Sequence, residues 1–187
     1  MKSFKLPLKV DHQGMSVPYL RRGDPNSHDY IDLKANPEQI DLLPEVKDWP
    51  ELKTALQTIN GFSGLRTLGC AHWLSPELDE QKRTFVSSYI QFCFDKLRTD
   101  VRVNYSLYHL LSGQLFQATL SDDLRIEMEI RRTAFNGDGM TLGWSVDYNV
   151  WGRGFTHDDG RKIANVAYDQ LLQCLGSEQL SPWVKAA

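Results

Sequence analysis

The chain has 187 residues, a formal net charge of −3, 41% hydrophobic residues and 24% charged residues. This size and balance are typical of one folded domain and exclude a disordered chain and a coiled coil. The charge lacks the basic excess typical of a nucleic-acid binder, and no run of about 18 apolar residues predicts a membrane span. We therefore expect a single domain over residues 1–187, with neither nucleic acid nor a membrane as its partner.

The compartment follows from the N-terminus and the cysteines. Lys5, Pro7 and Lys9 interrupt the apolar run that a secretory signal peptide requires. The chain has 3 cysteines, an odd number that cannot pair completely, and each lies in an apolar segment where a small hydrophobic residue would serve equally well. We expect reduced thiols and a cytoplasmic protein.

The first elements are predicted from alternation and from turn residues. Apolar and polar residues alternate over 4–10 and again over 15–20, which predicts a β-hairpin. The turn-rich segment 21–36 is predicted to be a surface loop. Short helices are expected at about 37–43 and 50–59.

The middle of the chain is less clear. A strand is predicted over 64–74, and Ser75-Pro76-Glu77 then combines a capping residue, a proline and an acid in the order typical of a helix start. Apolar residues continue at helical spacing, so we predict a long helix at about 76–98. The alternative is a strand from Thr84 to Phe94, which the β-branched and aromatic residues there also tolerate. Another helix is predicted over 104–117.

The C-terminal part contains the clearest pattern. Residues 124–136 and 140–151 alternate apolar and polar side chains on either side of Gly137-Asp138-Gly139, which predicts a β-hairpin with a three-residue loop and one buried face. Thr156 then caps a helix predicted at about 157–175. The fold class is therefore α+β: an antiparallel sheet built from hairpins, with helices packed on one face.

The predicted register of this hairpin concentrates acids on its polar face. It places Glu129 opposite Asp147 and Glu127 opposite Asn149. Two opposed carboxylates are destabilising unless Arg131, a bound cation or a shared proton offsets them. The face is therefore a candidate ligand site or acid/base pair, and the alternative is a solvated face of interleaved charges.

The segment that follows the hairpin resembles a phosphate-binding loop only in part. Gly152-Arg153-Gly154 lies between a strand and a helix, where backbone amides can bind phosphate. However, His157 stands where a dinucleotide motif has its third glycine, and Asp158-Asp159 occupies the positive end of the helix. The pattern favours a connection through left-handed glycines. Trp151, which belongs to the polar face, is a candidate anchor for a partner protein.

Cys70 and His72 allow two further hypotheses. As metal ligands they would need others from far along the chain, such as His109 or His157. As a nucleophile, Cys70 would need a base such as His72 or His157, held by an acid such as Asp158. A cysteine in an apolar strand is more typical of the core, so we predict neither a metal site nor a cofactor.

These observations favour a non-catalytic cytoplasmic module, of the immunity or adaptor type, that binds another protein through the polar face of the 124–151 hairpin. One alternative is a small hydrolase or transferase with an acidic site near Arg153, or one built around Cys70 and His157. A further alternative is a small-ligand sensor with a pocket between the hairpin and the last helix, lined by Trp144 or Trp151. The candidate binding residues are Glu127, Glu129, Asp147, Trp151, Arg153 and His157.

Overall fold

A computed structural model describes residues 4–5, 15–19, 29–117, 121–137 and 139–184. Its strands are β1 (Phe4–Lys5), β2 (Met15–Val17), β3 (Leu65–Leu74), β4 (Thr84–Phe94), β5 (Leu124–Gly137) and β6 (Gly139–Gly154). Its α-helices are α1 (Pro50–Gly61), α2 (Val101–Gln117), α3 (His157–Leu175) and α4 (Ser181–Val184). Short 3₁₀ turns occupy Pro37–Leu42, Pro44–Val46 and Asp95–Leu97.

The α+β prediction is confirmed. The strands form a mixed sheet in the order β1-β5-β6-β4-β3, with β2 also paired to β5. Helices α1, α2 and α3 pack against the sheet and enclose a common apolar core. Buried hydroxyls join the layers: Tyr148 donates to the Ala167 carbonyl of α3 at 2.8 Å, and Tyr108 of α2 donates to the Met128 carbonyl at 2.9 Å. No helix within the described ranges is both long and apolar enough to cross a bilayer.

The 124–151 hairpin is confirmed together with its register. Asn136 pairs with Met140 and Glu129 with Asp147, while Asp138 of the loop lies outside the described residues. The predicted C-terminal helix is also confirmed as α3. Thr156 caps it by accepting a hydrogen bond from the Asp159 amide at 3.1 Å, and the Asp159 side chain accepts in return from the Thr156 amide at 3.1 Å. Both predictions are correct because the turn residues of the hairpin and the capping residues of α3 are close together in the chain.

The long helix predicted at about 76–98 is wrong, and the alternative strand is present as β4. The helix-start signal does form its local hydrogen bond, in which Ser75 Oγ accepts from the Glu77 amide at 3.2 Å. The chain then makes a tight turn, in which Asp79 accepts from the amides of Gln81 and Arg83, and no helix follows. β4 pairs with β3 on one side and β6 on the other, so it lies inside the sheet with its backbone groups paired. This long-range pairing overrides the local helix signal.

The N-terminal hairpin predicted over 4–10 and 15–20 is corrected in its pairing. Strands are present at both positions, but β1 pairs with Ile126 and Glu127 of β5, and β2 pairs with Thr133–Phe135 of the same strand. Both run parallel to β5, so they run in the same direction and cannot form an antiparallel hairpin with each other. The predicted hairpin loop lies outside the described residues.

The remaining elements lie close to their predicted positions. The helix predicted at about 50–59 is α1, the strand predicted over 64–74 is β3, and the helix predicted over 104–117 is α2. The helix predicted at about 37–43 is a 3₁₀ turn. Of the loop predicted at 21–36, residues 29–36 are described and contain no helix or strand, although Leu33 is buried in the core.

The sheet side opposite the helices is termed the second face. Along β5 and β6 it carries the odd-numbered residues, because the even-numbered ones enter the helix-side core. At one end of this face Val17 and Tyr30 pack over Leu68, Cys93 and Phe135 as a separate apolar cluster. The polar residues of the hairpin lie on the rest of this face.

Candidate binding cleft on the second face

The predicted acidic cluster is present, and one arginine contacts both of its opposed acids. Glu129 and Asp147 are cross-strand partners that are only 4% and 5% exposed. The Arg131 guanidinium lies between them, with Nη2 3.3 Å from Glu129 Oε2 and Nε 2.9 Å from Asp147 Oδ2. Buried carboxylates that contact a cation on the same or the adjacent strand are typical of a structural ion-pair network.

The groups on either side of this network also have partners. On one side Glu127 forms an ion pair with Arg125. On the other side Ser145 forms hydrogen bonds with Gln91 at 2.9 Å and with Thr133 at 2.7 Å. The proposed acid/base residues are therefore engaged in ion pairs with arginines, an arrangement that does not favour proton transfer to a substrate.

Farther along the same face, two arginines stack on two aromatic rings around a cleft. The Arg125 Cζ atom lies 5.0 Å from the centroid of Trp151, and the Arg153 Cζ atom lies 4.9 Å from the centroid of Phe85. The cleft has a volume of about 210 Å³. Its lining comprises Phe85, Asp122, Asp123, Leu124, Arg125, Trp151 and Arg153.

Ion pairs hold the rim of the cleft in place. Arg83, which follows the turn between β3 and β4, contacts Asp123 at 2.6 Å and Asp79 at 3.1 Å. The Arg153 amide donates to the Asp123 carbonyl at 3.0 Å. Arg153 Nε is 3.8 Å from Asp79 Oδ2, which is a long ion pair. The cleft is thus built where the ends of β4, β5 and β6 meet, and both of its arginines contribute to its walls.

The glycines of the 152–154 segment have a packing role. An ideal Cβ on Gly152 would lie 2.0 Å from the Gly160 carbonyl oxygen, and one on Gly154 would lie 2.5 Å from the Asp159 Cβ. Neither glycine has a φ in the left-handed region, so the expected left-handed connection is wrong. The glycines are required because the first turn of α3 lies directly against β6. Asp159 already caps that helix end, so the segment does not have the open amides of a phosphate loop.

The six predicted site residues fall into three groups. Trp151 and Arg153 line the cleft, and Glu127 adjoins it through its ion pair with Arg125. Glu129 and Asp147 belong to the buried ion-pair network. His157 is at the start of α3, where its Nε2 lies 3.1 Å from the Ser75 carbonyl oxygen. His157 therefore holds the β3–β4 turn in place and does not line the cleft.

Cys70 and His72 point toward the helices. Both alternate with Ala71 in β3, and the His72 ring packs edge-on against Trp49 with centroids 5.7 Å apart. Burial raises the pKa of the Cys70 thiol, and the nearby Glu45 carboxylate raises it further. The thiolate that a nucleophile requires is therefore disfavoured. Within the described ranges, no three His, Cys, Asp or Glu side chains are grouped so that they could bind a metal.

We predict that these thiols react slowly in the folded protein. Burial raises the pKa of Cys93 to about 12 and also raises the pKa values of Cys70 and Cys174. A raised pKa means little thiolate at pH 8, so Ellman's reagent should label the protein only as fast as it unfolds, whereas all 3 cysteines should react at once in denaturant. Rapid labelling of Cys70 in the native protein would support the nucleophile hypothesis.

The two tryptophans proposed for a sensor pocket lie on opposite faces. Trp144 packs edge-on against Tyr105 of α2, with ring centroids 6.1 Å apart, on the helix side. Trp151 lies in the cleft on the second face. A pocket between the hairpin and α3 therefore cannot contain both.

Sequence reasoning missed the contributions of Phe85, Arg83 and Asp123 to the cleft. Phe85 lies at the start of β4 and Arg83 directly precedes it, within the segment for which the sequence predicts a helix. Phe85 reaches the cleft because this segment is a strand, in which Phe85 pairs with Arg153. The sequence does contain a signal for this strand. Phe85, Ser87 and Tyr89 alternate with even-numbered residues that are buried.

Comparison with protein-family models, with curated proteins and with solved structures found no match to this chain.

Proposed function

We propose that this protein is a non-catalytic binding module whose partner, another protein, inserts a side chain into the cleft between Trp151 and Arg153. The observation that carries the proposal is the pair of arginine–aromatic stacks around a cleft of about 210 Å³. Tryptophan and arginine are the residues most enriched in binding hot spots, and pockets that hold them are typical sites for an anchoring side chain.

Preorganisation supports the proposal. Each arginine is stacked on its ring, and Arg125 also contacts Glu127. Side chains held in this way lose less conformational freedom on binding, so more of the contact energy becomes affinity. The lining combines two arginines with two aspartates, which suits a polar or mixed-charge protein surface better than a nucleic-acid backbone.

The three free cysteines support a reducing compartment, and we propose the cytoplasm. An adaptor or immunity protein of a single domain would fit this location. The hydrolase or transferase alternative receives no support from the acids at Glu127, Glu129 and Asp147, because each contacts an arginine.

Capture experiments test this proposal. Immobilised wild-type protein should retain a specific protein from lysate of its source cell, identified by mass spectrometry, and Trp151→Ala should reduce that retention at least tenfold. Val166→Ala is the matched control, because Val166 is 42% exposed on α3, on the other side of the sheet. The control should retain the partner fully.

Thermal unfolding of each variant separates binding from folding. Trp151 is only half-buried, so Trp151→Ala should unfold within a few degrees of the wild type. If it does not, Arg125→Ala replaces it, since Arg125 is exposed and removal of its guanidinium leaves the core intact. Full retention of the partner by both variants would contradict the proposal, as would retention of no specific protein by the wild type.

A further inference from the structure

The outer half of β3 is an open sheet edge. β3 is the last strand in the sheet order. The Ser75 amide donates to the Phe85 carbonyl at 2.9 Å, so the backbone groups of Ser75 and Trp73 point toward β4. Because these directions alternate along a strand, the N–H and C=O groups of His72 and Leu74 point toward the open side. In the described part of the chain, no other strand pairs with that side.

This edge lacks the usual protection against strand pairing. From Thr67 to Ser75 the sequence has neither a charged residue nor a proline, the two features that natural edge strands most often use as guards. The inner half is covered, because Asn60 Oδ1 accepts from the Thr67 amide at 3.1 Å. The outer half ends in Trp73 and Leu74, which are 55% and 38% exposed. The unprotected stretch is therefore short and apolar.

We propose that a second copy of this chain occupies the edge, forming a symmetric dimer in which the two β3 strands pair antiparallel about Trp73. In this register His72 of each copy exchanges both backbone hydrogen bonds with Leu74 of the other, so every outward group from Ala71 to Ser75 is satisfied. Trp73 then lies opposite Trp73 of the second copy in a non-hydrogen-bonded pair, where side chains are closest.

Charge and length favour a second copy as the occupant. The stretch is uncharged, so two copies meet without like-charge repulsion across the two-fold axis. It is also short. Its two outward-facing residues, His72 and Leu74, are each other's pairing partners in the symmetric register. The stacking of Trp73 on Tyr89, with centroids 5.8 Å apart, provides an aromatic surface that the second indole extends.

The dimer has a consequence for the cleft. One row of paired residues crosses the second face from the open edge to the cleft, in the order Trp73, Ser87, Trp151 and Arg125. Pairing at the edge makes the two sheets continuous, so both clefts open on the same face. Their tryptophans would be separated by about five strand spacings, or roughly 24 Å. The dimer does not depend on what the cleft binds.

Sedimentation over a range of protein concentrations tests the dimer. The wild type should shift from monomer to dimer as its concentration rises. Trp73→Lys and Trp73→Glu should each raise the dimer dissociation constant at least tenfold, because the symmetric register brings like charges together. A mixture of the two variants should restore association as a heterodimer, because Lys and Glu then face each other.

The control for added charge is Leu142→Lys, a change at a residue that is 48% exposed in β6 and pairs with Ala134 of β5. It should dimerise as the wild type does. A wild type that stays monomeric at every concentration would overturn the proposal. A dimer unaffected by Trp73→Lys, or a charge-swapped mixture that fails to associate, would also overturn it. None of these results alters the capture experiment with Trp151→Ala, so the two proposals can fail separately.

Discussion

Gly152→Ala is expected to lower the free energy of unfolding by about 3 kcal/mol or more. The new Cβ would lie 2.0 Å from the Gly160 carbonyl oxygen and 2.9 Å from the Ala164 amide nitrogen. Both atoms belong to the backbone of α3, so no side-chain rotation can relieve the overlap. The helix has to move away from β6, and urea denaturation measures the cost.

Gly113→Ala is the matched control. Gly113 lies within α2, and a Cβ there would meet nothing within 4 Å. Alanine is a better helix former than glycine, so this variant should gain about 0.5–1 kcal/mol. If the free energy of unfolding of Gly152→Ala is within about 1 kcal/mol of the wild-type value, then α3 does not pack directly on β6 at this position, and the packing role of the glycine is wrong.

Arg131→Met is expected to cost about 3 kcal/mol, because it removes the cation between Glu129 and Asp147 while both carboxylates stay buried. Methionine keeps much of the arginine stem, so the lost energy reports the charge more than the packing. Denaturant unfolding at neutral pH measures the change. On a Glu129→Gln background the same substitution should cost less, since only one buried carboxylate then loses its partner.

Arg132→Met provides the control for the neighbouring position. Arg132 is exposed on the other face of β5, so its loss should change stability by about 0.5 kcal/mol or less. Equal costs for Arg131→Met and Arg132→Met would show that the ion-pair network does not stabilise the fold. An Arg131→Met variant of unchanged stability would leave the acids available for an acid/base role and would favour the enzyme alternative.

The β5–β6 hairpin and α3 could be predicted because their signals are short-range. Alternation on either side of Gly137-Asp138-Gly139 leaves only registers that pair odd-numbered residues with odd-numbered ones, and this parity brings Glu129 opposite Asp147. The cap of α3 lies within three residues of Thr156. In each case the residues that decide the structure are close together in the chain, so their pattern can be identified without the rest of the fold.

The β4 segment and the N-terminal strands could not be predicted in this way. Residues 84–94 carry an apolar pattern that fits both a helix and a strand, and the competition is decided by partners more than fifty residues away in β6. The alternation in β1 and β2 indicates strands but does not identify their partner. Pairing with β5 depends on which edge of the sheet is free after the hairpin has formed.

The same contrast between short-range and long-range information applies to the candidate site. The sequence by itself determined the α+β class and the concentration of charge along the hairpin, because patterning and parity are enough for each. Only the tertiary structure decided that Arg131 forms ion pairs with both acids and that the glycines serve packing. It also brought Phe85, Trp151 and Arg153 around one cleft. These features arise where strands distant in the chain become neighbours, and a pattern along one segment carries no information about its neighbours across the sheet.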